Sequence, residues 1–172
     1  MLASESTAGT IYGAPLLAGQ ATAERIETFT DRIFRERNHE AKFAKRHADR
    51  VSECWGYRVD GEAVSYFWLS RGGDVPLWRK AVLSTECAYV WDCYTAEPFR
   101  RRGYFTRALQ DGRMLGGTKT VLTAVTDGNQ ASARVIGKMF AVLTRYRIRR
   151  FGSIYITNGR LGRVVVVPRL PD

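Results

Sequence analysis

The sequence predicts an α/β fold built on a mixed sheet, and three stretches carry that prediction. Residues 51–59 and 63–70 are rich in aromatic and β-branched side chains and flank Asp60-Gly61. Asp-Gly between two such runs is the strongest short hairpin signal. Residues 87–115 read as a strand, a basic glycine-containing loop and a helix, and residues 119–143 as a second strand–turn–helix unit around Asp127-Gly128-Asn129. A hairpin with a third strand beside it, followed by two strand–helix units, gives α/β layers with both strand senses.

Taken in order, residues 1–9 are small and polar and are expected to be a flexible N-terminus, with residues 10–172 forming a single domain. A short strand is expected over 10–17. Across 22–37, Ile26, Phe29, Ile33 and Phe34 recur at helical spacing and predict a helix. A second helix over 40–49 carries Lys42, Lys45 and Arg46, with Arg50 just beyond. Residues 71–83, with Gly72-Gly73 and Pro76, read as a loop. The strand over 87–95, the loop over 98–103 and the helix over 104–115 follow. Val121, Leu122 and Val125 mark a buried strand over 119–126. Val135, Ile136, Met139, Phe140 and Leu143 form one stripe of a helix over 131–143, and the last strands fall at 146–156 and 163–168. No internal repeat is visible.

Composition narrows the function classes. The chain has 172 residues, 45% of them apolar and 26% charged, which suits one packed core and not disorder. No apolar run approaches the roughly 18 residues that span a bilayer. The start lacks a basic region followed by an apolar one, so no secretory signal and no membrane partner are expected, and the cytoplasm is the expected compartment. Three cysteines, Cys54, Cys87 and Cys93, do not make a disulfide framework. His39 and His47 lack metal-like company, so no metal site is expected. Lys plus Arg is 27 and Asp plus Glu 17, a net charge of +10 that favours anionic partners.

The chemistry concentrates in Thr95-Ala96-Glu97-Pro98-Phe99-Arg100-Arg101-Arg102-Gly103-Tyr104-Phe105-Thr106. A strand, a tight basic loop and a helix start bring successive backbone N–H groups to a helix N-terminus, where anions bind. Gly103 lets the backbone approach a ligand. A diphosphate cradle and a plain connecting turn both fit these residues. One strand later, Asn129-Gln130-Ala131-Ser132 opens a helix, with Asn129 suited to cap it.

These two motifs, in this order, resemble those of the GNAT superfamily of acyl-CoA-dependent N-acetyltransferases. The family carries Arg/Gln-x-x-Gly-x-Gly/Ala at the strand–helix junction, and Arg100-x-x-Gly103 matches it, while Phe105 stands where the family prefers Gly or Ala. The family also carries Asn-x-x-Ala/Ser at the start of the next helix, matched by Asn129 and Ser132. The resemblance implies a largely antiparallel mixed sheet flanked by about four helices, and transfer of an acetyl group from acetyl-CoA to a primary amine. It implies that the backbone of Cys93, Tyr94 and Thr95 holds the pantetheine arm. Arg100, Arg101, Arg102, Gly103, Tyr104, Phe105 and Thr106 would form the diphosphate cradle, with Asn129 and Ser132 beside it. Asp92 is the first candidate for the base that deprotonates the amine and Glu86 the second. The family often places an acidic Tyr where this chain has Ile136, and its usual Gly-Phe is Phe140-Ala141 here, so either the acid comes from elsewhere, with Tyr104 and Tyr146 nearby in sequence, or no dedicated acid is used.

Three further readings stay open from the sequence. The acyl group can be longer and come from acyl-CoA or an acyl carrier protein. The chain can be a noncatalytic module of this fold that binds anions or nucleic acid, although it lacks the interleaved aromatic–basic pattern of single-strand binders. It can form a homodimer. The acceptor is expected to be a small amine carrying a negative group, from the net charge and from Arg145, Arg147, Arg149 and Arg150 alternating along a late strand. The aromatic set Trp55, Phe67, Trp68, Trp78 and Trp91 is expected mostly in the core.

Overall fold

The computed structural model describes residues 5–36, 40–48, 52–75, 81–117, 120–151, 154–157, 160–161 and 164–166. His39, Arg50, Pro76, Trp78 and Lys119 therefore lie outside the described residues, and so do the side chains of Arg149 and Arg150. Chain order runs β1 Glu5–Pro15, β2 Glu24–Ile26, α1 Arg32–Arg35, α2 Glu40–Ala48, β3 Ser52–Val59, β4 Glu62–Val75 and β5 Ala81–Thr95. A 3₁₀ turn at Glu97–Phe99 leads into α3 Tyr104–Leu115, β6 Thr120–Thr126 and α4 Gln130–Ile136. The chain continues with β7 Ala141–Phe151, β8 Ile154–Thr157, β9 Arg160–Leu161 and β10 Val164–Val166.

The predicted hairpin joins β3 to β4, and Asp60 and Gly61 both sit at positive φ (51° and 81°), as a type I′ turn requires. The sheet order is β2-β3-β4-β5-β6-β1-β7-β8-β9, with β10 beside the start of β5. Pairing is antiparallel except for β5 with β6 and β10 with β5. Alternate residues of β4 divide between two cores. Phe67 and Leu69 pack with Leu109 and Ile136 of α3 and α4, whereas Tyr66 and Trp68 pack with Ile33, Phe34 and Phe43 of α1 and α2. Helices thus cover both faces of a mixed sheet, as the sequence predicted.

Several boundaries differ. β1 begins at Glu5, five residues earlier than expected, paired with β7 on one edge and, from Gly9, with β6 on the other. The predicted helix over 22–37 is a correction. All four apolar residues are buried, but Ile26 lies in β2 opposite Cys54, and only Arg32–Arg35 is helical. Thr28, Thr30 and Asp31 are poor helix-interior residues, and Asp31 is extended at φ −64°, ψ 153°. The predicted loop over 71–83 is strand at both ends, with Gly73 where the β4–β5 register shifts, a position at which glycine tolerates the bulge. The predicted helix over 131–143 ends at Ile136, followed by Gly137 as its C-cap, and β7 starts at Ala141 opposite Gly13.

One buried carboxylate ties α3 to the rest. Asp111 is 3% exposed, and its Oδ2 accepts from Thr22 N at 2.9 Å, Thr22 Oγ1 at 3.0 Å, Ala23 N at 2.6 Å and the Tyr57 hydroxyl at 3.0 Å. Burial first, and the Asp111 charge second, push the Tyr57 hydroxyl well above the ordinary phenol range. The segment before β2, strand β3 and helix α3 meet at this one oxygen.

Candidate active site

The site starts from an irregularity in β5. Tyr66 pairs with Tyr94 and Trp68 with Trp91, so two steps on β4 face three on β5. The extra residue is a β-bulge, and Asp92 within it adopts φ 45°, a left-handed conformation that Asp tolerates better than most residues. The bulge turns two successive side chains toward α2. Trp91 joins the core under α1 and α2, and Asp92 accepts from Arg46 Nη1 of α2 at 2.6 Å. Cys93 then turns to the α3–α4 side.

The bulge also separates β5 from β6. Their parallel ladder runs from Cys87–Thr120 to Val90–Thr123 and stops there. Beyond it lies a cleft of about 230 Å³, lined on β5 by Trp91, Asp92 and Cys93, on β6 by residues 123–126, and on α3 and α4 by Phe105, Ser132 and Ile136. β5 keeps its other edge on β4, where Ser65 Oγ donates to the Tyr94 carbonyl at 2.9 Å and Ala96 N donates to the Val64 carbonyl at 2.9 Å. Burial first, and Asp92 second, push the Cys93 thiol up to about 12, so it stays protonated near neutrality.

The loop after β5 leads to the helix end that the sequence singled out. Arg100 turns back, its Nε donating to the Thr95 carbonyl at 3.2 Å and its guanidinium carbon 5.8 Å from the Tyr94 ring centroid, which ties the loop to β5. Arg101 (φ 62°) and Gly103 (φ 83°, ψ 0°) are left-handed, and Arg101, Arg102 and Gly103 are all exposed. No side chain caps α3, and a Cβ built on Gly103 meets nothing within 4 Å. The start of α3 thus has no side-chain cap and open space at Gly103, with Arg101 and Arg102 exposed beside it, a fit for a diphosphate. The Tyr104 ring packs 5.6 Å from Tyr57. The Phe105 ring packs inward and lines the cleft, which removes its bulk from the cradle. Thr106 is half-buried in the first turn.

Asn129 caps α4, its Oδ1 accepting from Ser132 N at 3.2 Å, and both residues line the cleft. Ile136 also lines it, so this part of the wall is apolar. Tyr146 is buried on β7 opposite Gly9. Gly9 must be glycine, because a Cβ there would lie 2.2 Å from the Val125 carbonyl oxygen and 2.5 Å from the Tyr146 hydroxyl. Burial first, and Asp127 second, raise the Tyr146 hydroxyl above the ordinary range. Burial first, and then the neighbouring Tyr146, Cys93 and Asp92, raise the Tyr89 hydroxyl above the ordinary phenol range.

The structure brings Asp92, Cys93, Phe105, Asn129 and Ser132 together and sets the arginine turn beside them. It does not bring Glu86 to the cleft. Glu86 is exposed one residue before the parallel ladder begins, six residues or roughly 20 Å along β5 from Asp92. Arg145 and Arg147 alternate with Tyr146 and so project from the opposite face of β7. Sequence reasoning missed the pairing of Arg46 with Asp92, since Arg46 was one of several basic residues on its helix. Among the described residues, no helix is long and apolar enough to cross a membrane, and no cluster of metal-binding side chains occurs.

Residues 20–141 match the family model described as the acetyltransferase (GNAT) family. The fold is similar to that of a GNAT-family protein from Novosphingobium aromaticivorans, with TM-score 0.60 and 11% identity over 83% of this chain. It is also similar to an acetyltransferase of the GNAT family from Colwellia psychrerythraea, with TM-score 0.57 and 13% identity over 86% of this chain. A GCN5-related N-acetyltransferase from Kribbella flavida gives TM-score 0.51 and 14% identity over 87% of this chain. The chain spans 63%, 56% and 61% of those three chains' own lengths. No curated protein matches the sequence.

Proposed function

Because the chain belongs to the acetyltransferase (GNAT) family, we propose that it transfers an acetyl group from acetyl-CoA to a primary amine. The observation that carries this reading is the parting of β5 from β6 at the Asp92 bulge, next to an uncapped helix N-terminus flanked by exposed arginines. The cleft suits a narrow pantetheine arm, and the Gly103–Thr106 amides suit its diphosphate. An N–H on β5 between Cys93 and Thr95 would polarise the thioester carbonyl and hold the developing oxyanion, an effect of about 3 kcal/mol per donor.

Asp92 would take the proton of the acceptor ammonium, directly or through water. The amine nitrogen then bonds the carbonyl carbon, the C–S bond breaks, and the thiolate takes a proton from Tyr146. Like any tyrosine hydroxyl, that of Tyr146 holds a proton at neutral pH.

The test is release of CoA thiol when acetyl-CoA is mixed with a panel of primary amines. Asp92→Asn is expected to lower turnover at least tenfold near neutrality and to recover partly as pH rises, because alkaline solution deprotonates the amine without enzymic help. An unchanged pH–rate profile removes Asp92 from the base role. No melting shift with millimolar acetyl-CoA, together with no thiol release, would sink the proposal as a whole.

A further inference from the structure

Arg46 has no part in acetyl-CoA binding on the reading above, yet it reaches the bulge from another element. Its guanidinium carbon lies 4.4 Å from the Trp91 ring centroid, 5.4 Å from Phe43 and 5.6 Å from Trp68. Nη1 donates to Asp92 Oδ2 at 2.6 Å, and the two side chains are only 17% and 19% exposed. Three aromatic faces hold the guanidinium beside the bulge.

We propose that Arg46 and Asp92 form the receptor for a zwitterionic acceptor, an amine with a carboxylate one or two carbons away, as in an amino acid. The inference rests on the acetyltransferase reading and names its substrate class. A half-buried ion pair resists any ligand that takes one partner and strands the other, because an uncompensated buried charge is expensive. A zwitterion avoids that penalty. Its carboxylate occupies Arg46 while its ammonium occupies Asp92, so each charge exchanges one counterion for another. The same arrangement delivers the ammonium proton to Asp92 at the mouth of the cleft. A polyamine would place cations against Arg46, and a simple anion would meet Asp92. Arg145 and Arg147 project from the opposite face of β7, so on this side Arg46 carries the recognition that the sequence assigned to the late strand.

The experiment compares alanine, methionine, phenylalanine and glutamate with their carboxamides as acceptors, in the wild type, Arg46→Gln and Arg46→Lys. In the wild type, kcat/KM for the best amino acid should exceed that for its carboxamide by roughly ten- to hundredfold. The preference should lie mainly in KM. Arg46→Gln should collapse the ratio toward one by raising KM for the amino acid, and Arg46→Lys should retain part of it. The melting shift with acetyl-CoA alone should persist in both variants, which separates this proposal from the acetyl-CoA reading. Carboxamides equal to or better than amino acids in the wild type would overturn the proposal. So would a failure to acetylate any amino acid, or an equal loss for both acceptor types in Arg46→Gln. The wild-type ratio decides even if a variant does not fold.

Discussion

Replacing Asp111 by alanine should cost about 3–5 kcal/mol of folding stability, because it strands several buried donors at about 1–3 kcal/mol each and leaves a cavity. Asp111 is 3% exposed, and its carboxylate accepts from two backbone N–H groups and two hydroxyls on two other segments. Alanine leaves the Ala23 amide and the Tyr57 hydroxyl buried without an acceptor and opens a cavity among them. Asp111→Asn keeps the volume but not the charge, and should lose about half as much. Urea unfolding at neutral pH checks both variants. A loss below about 1 kcal/mol for alanine would mean that water replaces the carboxylate and that α3 is anchored by its apolar face alone. Because α3 begins at the cradle, the alanine variant should also show a smaller acetyl-CoA melting shift than the wild type.

Gly103→Val should lower acetyl-CoA affinity by about a hundredfold or more while leaving a folded protein. Gly103 sits at φ 83°, where a β-branched residue is strained, and a Cβ there meets nothing within 4 Å. The strain is local, so the stability loss should stay near 1–2 kcal/mol. The space that admits the valine methyls is the space in front of the first-turn amides, which a diphosphate needs. Titration calorimetry with acetyl-CoA measures the loss, and Gly103→Ala should fall between wild type and valine. Equal affinity in the valine variant would place the diphosphate elsewhere.

Much of this was legible from local chemistry. Asp60-Gly61 fixed the hairpin because few residue pairs accept two positive φ values. The run from Thr95 to Thr106 showed its strand, turn and helix because proline, glycine and arginine punctuate it. The segment over 22–37 was misread because burial of Ile26, Phe29, Ile33 and Phe34 at helical spacing also suits a short strand, a loop and one helical turn. The register fault at Asp92 has no local signature, since it is a property of two paired strands. The Arg46–Asp92 pair, 46 residues apart, depends on that fault and on the docking of α2. The opposed faces of Tyr146 and its neighbouring arginines were available in the sequence, because a strand's period of two separates 145 and 147 from 146.

Hydrogen exchange with and without saturating acetyl-CoA tests the central claim most directly, because it reports on backbone amides along the cleft. Protection is expected in peptides covering 92–96 and 103–107, where β5 leaves β6 and α3 begins, with little change over β2 and β3. Saturating acetyl-CoA that leaves both segments unchanged, or protects only residues remote from the split strands, would contradict the assignment of this cleft as the acyl-donor site.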